Sequence, residues 1–175
     1  MTLFEAVKER YSYRGEFQDS PVSRGDLQKI LEAGLAAPSG CNAQTTYLVG
    51  IDDPVLIKNM ASIINKPKAA TAQAGVCVIT HAFPAFAGMY FNVQDYSAAI
   101  ENMLLAISAL GYASCWIEGD ITKDKEIQKA IAELLGIPEK YEVVGWLPFG
   151  VPSSPGKRAV KKPFGERAFF NRFGT

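Results

Sequence analysis

One stretch limits the possible folds more than any other: "DYSAAIENMLLAISALGY", residues 95 to 112. It reads as a helix, yet apolar residues occur on nearly all of its faces. A helix of that kind has to be covered from several directions, which places it at the centre of a molecule. Its longest apolar runs, near 103–113, are too short to span a bilayer, so protein must supply the cover.

The remaining segments show what is available. "TLFEAVKERY" sets Leu3, Phe4, Val7 and Tyr11 at helical spacing. "SRGDLQKILEAGLAAP" offers Ser23 as an N-cap, Asp26 at the third helical position, a face of Leu27, Ile30, Leu31 and Leu35, and a stop at Pro38. Pro54 suits the first turn of a third helix reaching Ile64, and 123–136 reads as a surface helix. Strands are predicted over 45–51, 75–80, 113–119 and 142–152, the second being rich in β-branched residues. A basic, aromatic tail without periodicity follows from Ser153. No strand opens the chain, and neither GxGxxG nor GxxxxGK[ST] occurs, which argues against a doubly wound nucleotide fold built on those loops. The expected class is α+β: a small sheet flanked and crossed by helices, with the apolar helix in the middle. A length of 175 residues suits one domain, 1–175.

Charge and composition remove several functions. Lys plus Arg and Asp plus Glu both number 18, a balance that argues against broad binding to nucleic acid or an acidic membrane surface. Cys41, Cys77 and Cys115 are far apart and lie in no CxxC, and His81 is the only histidine, so neither a disulfide framework nor a zinc site is expected. "MTLFEAVKER" carries Glu5 and Glu9 and no long apolar run, unlike a signal peptide, and the expected location is the cytoplasm. His81 has no GxSxG context, and the spacing of the acidic residues reveals no catalytic pair.

Three polar clusters remain: Arg10, Ser12 and Arg14 in "RYSYRGEF"; Pro38, Ser39, Gly40, Asn42 and Gln44 in "APSGCNAQ"; and Lys157, Arg158, Lys161 and Lys162 near the C-terminus. Taken singly, each has an ordinary reading as a solvated helix face, a turn and a solvated tail. Taken in order, "RYSYRGEF", "AAPSGCNAQTTYLVGI", "DYSAAIENMLLAISALGYASCWIEGD" and "KKPFGERAFFNRFG" resemble the four signature regions of the FMN-dependent nitroreductase family, from Phe4 to about Phe170.

That resemblance implies a nitroreductase-like fold with a small, mostly antiparallel sheet, a homodimer, and FMN sites at its interface. Residues 153–175 would be a domain-swapped tail wrapping the partner. Arg10 and Ser12 would hold the FMN phosphate and ribityl chain, with Tyr11 standing where the family often has a second arginine. Arg14 would lie by the pyrimidine edge of the ring, where Asn65 would also bond. Pro38, Ser39, Gly40 and Asn42 would approach from the partner subunit. Trp116, Ile117, Glu118 and Gly119 would run along the flavin, with the Glu118 backbone N–H near N5. Lys161 and Lys162 fall at the family's C-terminal phosphate-binding positions, with Arg158 as their competitor. The implied activity is NAD(P)H oxidation with a nitroaromatic, quinone or similar small-molecule acceptor, and NADH or NADPH as co-substrate.

The residue types suit this chemistry. Phosphate is held by forked or point-charge cations, and a cation beside the pyrimidine edge raises the reduction potential of a flavin. No side chain has to act as acid or base, so no catalytic side chain is assigned. Two alternatives stay open: a flavin enzyme of the same fold acting as a dehalogenase or oxidase, and a noncatalytic flavin-binding or basic-tail interaction protein. "HAFPAFAGMYFN" (81–92), with four aromatics beside its histidine, lies where the family varies its substrate cover.

Overall fold

The structure is a computed structural model and describes residues 1–174. β2 (Ala74–Thr80) is buried along its whole length and is the axis of the molecule. It pairs antiparallel with β1 (Thr46–Ile51) on one side and β4 (Glu142–Gly150) on the other, and the short β3 (Ala113–Ser114) closes the order β1-β2-β4-β3. Successive strand residues point to opposite faces, so β2 feeds two cores. Val76 and Val78 join one core; Cys77 and Ile79 join the other. The β2–β4 register shifts between Val78 and Ile79. One extra residue on β4 there lets Val143 and Trp146 share one face while Val144 and Leu147 share the other.

The first core is covered by α2 (Arg24–Leu35), through Leu27 and Ile30, and by α4 (Asn92–Ala109), through Tyr96, Ile100, Met103 and Ile107. The second is covered by α3 (Pro54–Ile63), through Ile57 and Met60, and by α6 (Lys125–Leu135), through Ile131. Ser23 caps α2 by accepting from the Asp26 N–H, and Asp53 caps α3. The fold is α+β with an antiparallel sheet and a central helix, as the sequence predicts. α1 (Leu3–Glu9) lies on the outside of α4 and buries only Ala6; Leu3, Phe4 and Val7 remain exposed.

Several boundaries differ from the sequence reading. α4 begins at Asn92, not 95, and α2 ends at Leu35, before Pro38. The strand predicted over 113–119 keeps only two ladder residues, then leaves the sheet and touches it again at an Ile117–Trp146 bridge. That excursion shapes the site described below. Short 3-10 turns at Gly40–Asn42, Pro67–Thr71 and Phe164–Glu166, and the four-residue α5 (Gly119–Thr122), are too brief to leave a period in the sequence. Among the described residues, no helix is long and apolar enough to cross a membrane.

The chain's two end segments meet. The Gln18 N–H donates to the Val151 carbonyl, Phe17 bridges Pro152, and the Ser153 N–H donates to the Glu16 carbonyl. Gly156 lies so close to the Tyr11 ring that a side-chain carbon there would stand 1.9 Å from it. Arg158 pairs with Glu9. Residues 151–158 therefore run back along 9–18 of the same chain, so the part of the tail nearest the body is held at home. Beyond it, side chains 159–167 are exposed, as are Phe170 and Phe173.

Candidate functional site

Where the chain leaves β3, a cleft of about 440 Å³ opens between three segments. Tyr13, Arg14, Gly15 and Phe17 form one wall, Lys66 to Ala69 a second, and Cys115 to Asp120 a third, with Pro148 of β4 at the base. The first segment is anchored to the sheet edge by the Tyr13 N–H, which donates to the Ser114 carbonyl at 2.8 Å. The Tyr13 hydroxyl donates to the Glu16 carbonyl at 2.5 Å, which fixes the bend around Gly15. The second segment follows α3, whose end turns through Asn65 at φ 54° before Pro67 starts the 3-10 turn. The third is the excursion from β3 to α5.

The cleft is cationic. Lys66 pairs with Asp120 across its mouth at 2.9 Å, but Arg14 and Lys68 have no carboxylate partner among the described residues. Glu118 is the other acid there, and its Oε1 accepts from the Tyr96 hydroxyl at 3.1 Å. Burial, and then the Glu118 charge, push the Tyr96 phenol up to about 12, so it stays a donor to that carboxylate. Burial pushes the Cys115 thiol up, with Arg14 and Lys66 opposing it. The Trp116 indole packs against the α4 core, and its Nε1 is buried without an acceptor, facing Gly145 of β4.

A second recess of about 510 Å³ adjoins the first, sharing Tyr13, Arg14 and Gly15 with it. Its other walls are Ser12 and residues 154–160, which bring Lys157 and Arg158. Arg14 thus stands between two recesses, one flanked by lysines from the α3 turn and one by basic residues of the tail.

The sixteen residues singled out in the sequence fall into five places. Arg14, Trp116, Ile117, Glu118 and Gly119 line the cleft. Ser12 and Arg158 line the adjoining recess, Arg158 being turned to Glu9. Arg10 and Tyr11 line a small hollow against α4, where Arg10 approaches Glu101 at 3.5 Å. Lys161 and Lys162 are exposed on the tail, outside both recesses. Asn65 immediately precedes the lining residue Lys66. Pro38, Ser39, Gly40 and Asn42 sit at the opposite end of β2, away from this chain's cleft. Lys66, Lys68 and Cys115 line the site without having been singled out. The signal for the lysines was present in "NKPK", two cations around a proline just past a helix end.

An anionic, flat ligand fits this donor set: unpaired cations on two walls, apolar surface from Phe17, Pro67 and Ile117 between them, and a basic side recess for a phosphate.

Comparison with known proteins agrees. The nitroreductase family profile matches residues 7–76 and 64–151. An Archaeoglobus fulgidus protein whose name joins NADH dehydrogenase and NAD(P)H nitroreductase is 33% identical over 152 residues, covering 85% of this chain and 86% of its own. Among solved structures, a BluB-like flavoprotein from Clostridium difficile superimposes with a TM-score of 0.84 at 25% identity, covering 98% of this chain and 100% of the other. An FMN-dependent nitroreductase from the same species gives 0.80 at 26% identity, covering 97% and 99%. With the profile spanning most of the chain and the relative matching along its length, the chain belongs to the nitroreductase family.

Proposed function

We propose that this chain is an FMN-dependent NAD(P)H oxidoreductase acting as a homodimer, with NADH or NADPH and then a nitroaromatic, quinone or similar acceptor using one cleft in turn. The observation that carries this reading is Arg14, an unpaired guanidinium at the junction of a cleft sized for a ring system and a basic recess. When bound, FMN supplies the two-electron chemistry, as hydride acceptor from the nicotinamide and hydride donor to the second substrate.

The chain's own groups bind and orient. Arg14 and Lys68 would hold the electron-rich edge of the ring, and their charge favours the extra electron density of its reduced form. Backbone N–H groups of this excursion, that of Glu118 first, would orient the opposite edge without giving up a proton; the Ile117 N–H is already held by the Trp146 carbonyl. Ser12 and Lys157 would receive the phosphate, joined by Arg10 and Arg158 once these leave Glu101 and Glu9, and by Lys161 or Lys162 from the exposed tail. Pro38, Ser39, Gly40 and Asn42 would close the site from a second copy, since they are far from the cleft of their own chain. The exposed Leu3, Phe4 and Val7 of α1 and the phenylalanines of the tail supply apolar surface for that assembly.

A flavin enzyme of the same fold acting on another substrate is the second reading, favoured by the likeness to a BluB-like flavoprotein. Anaerobic titration separates the readings. The protein should bind FMN, bleach with NADH or NADPH, and recover its colour on adding menadione. A yellow protein that no nicotinamide bleaches excludes the oxidoreductase, and a protein that binds no FMN excludes both readings.

A further inference from the structure

Three of the five buried polar side chains among the described residues, Thr45, Thr80 and Asp95, form one cluster at the end of β2 remote from the cleft. Asp95 lies in the first turn of α4 and is 3% exposed. One of its oxygens accepts from the Gly40 N–H at 2.8 Å, the other from the Thr45 hydroxyl at 2.6 Å. No cation pairs with it among the described residues; its charge is met by those two donors and by the positive end of an 18-residue helix. The Thr45 carbonyl in turn accepts from the His81 N–H at 3.0 Å and the Thr80 hydroxyl at 3.2 Å.

Two irregular segments converge on this cluster. One is the turn 39–45, in which Cys41, Asn42 and Gln44 have φ of 53°, 54° and 50°. Non-glycine residues hold such angles only where surrounding contacts impose them. The other is 81–91, turned at Phe86–Met89, with the Ala85 N–H on the Met89 carbonyl and the His81 ring edge-on to Phe83. Its first residue, His81, is bonded to Thr45, and its last, Phe91, packs against Gly40, where a side-chain carbon would stand 2.3 Å from the ring. The Asp95 N–H holds the Phe91 carbonyl at 2.9 Å. Both stems of 81–91 are therefore fastened to the turn.

We propose that Asp95 is a positioning residue that joins the 39–45 turn and the 81–91 segment into one unit, so that a ligand ordering the turn also orders the segment. The inference rests on the reading that the turn faces the flavin of a second subunit. Phe86, Met89 and Tyr90 are exposed on the segment and offer a flat apolar surface to an aromatic acceptor. The cover for the acceptor is then set only when the cofactor is in place, and acceptor affinity depends on a carboxylate that touches neither ligand.

Amide hydrogen exchange of the full-length protein, with and without FMN, tests this with Thr45→Val and Thr45→Ser. Valine removes the hydroxyl bonded to Asp95 at nearly constant volume; serine keeps it. In the wild type and Thr45→Ser, FMN should slow exchange in both 38–45 and 81–91. In Thr45→Val it should slow only 38–45, and KM for menadione should rise about tenfold while kcat changes less than about twofold. If FMN still slows both segments in Thr45→Val and KM is unchanged, the inference is overturned and the flavin reading stands. If FMN binds the wild type but slows neither segment, the turn does not face a flavin, and the inference falls with that reading. Should Thr45→Val fail to fold, Thr45→Ala, which removes the same hydroxyl and leaves the Gly40 N–H bond to Asp95 in place, takes its role with the same two outcomes.

Discussion

The two ends of β2 are built differently. At the Ala74 end, next to β3 and Pro148, one chain supplies three walls of a cationic cleft, with its backbone bonded to the sheet edge. At the Thr80 end, the chain presents a turn held in strained angles and an aromatic segment with most side chains exposed. The first is a concave surface with room for a small molecule. The second is left exposed on its own chain. In the proposed homodimer the exposed turn of one copy would meet the cleft of the other, and each site would take residues from both. A chain of this size would gain a deep site in this way without building a second domain.

The largest test of that contrast removes the exposed tail. A chain ending at Arg158 keeps the contacts of 151–158 with 9–18 but loses Phe164, Phe170 and Phe173. Light scattering should give twice 19.0 kDa for the full chain and a monomer for the truncated one, with dimer affinity weakened at least a hundredfold, about 3 kcal/mol. A truncated chain that stays dimeric assigns assembly to α1 and the body alone.

The next test compares two arginines near the concave end. Arg14 lines both recesses without a partner, whereas Arg10 approaches Glu101 outside them. Arg14→Gln should weaken FMN about tenfold and lower its midpoint potential, about 30 mV for each 1.4 kcal/mol of lost preference for the reduced form. Arg10→Ala should leave the potential in place and weaken FMN more than riboflavin only if the guanidinium leaves Glu101 for the phosphate. Equal shifts in potential for both variants would show that the cleft does not distinguish them.

The smallest effect is a labelling order. Cys41 is exposed at the Thr80 end, Cys115 lines the cleft, and Cys77 lies within β2. Burial raises the Cys115 thiol and takes Cys77 up to about 12. A raised thiol stays protonated and unreactive until pH climbs past it. Iodoacetamide at pH 8 should modify Cys41 ahead of Cys115, leaving Cys77 untouched, and FMN should slow both, Cys41 because its turn would close the site of a second copy. Mass spectrometry of the peptides reads the order; Cys115 reacting as fast as Cys41 would mean the cleft is open to its base.

Much of the fold was legible because it is locally encoded. The Ser23 cap, the Pro54 start and the apolar turns of α4 each act within a few residues. The strand predicted over 113–119 was shortened by tertiary structure: Cys115 and Trp116 read as strand residues, but here they leave the ladder to wall a cleft. Within the site, Arg14 and 116–119 came from a pattern along the chain. Lys66 and Lys68 were passed over because a turn after a helix has no period to mark which of its residues face inward. The Asp95 cluster could not have been read at all, since its bonds join residues 50 and 55 positions apart and neither end carries a motif for the other.

The pairing of 9–18 with 151–158 has a consequence for synthesis. Gln18 and Pro152 are separated by 134 positions, Glu9 and Arg158 by 149. A ribosome adding roughly 5–20 residues per second leaves the first segment without its partner for about 7 to 30 seconds. The wall that carries Arg14 is thus made well before the segment that secures it, and the nascent chain must keep it out of other strands' reach until that segment emerges.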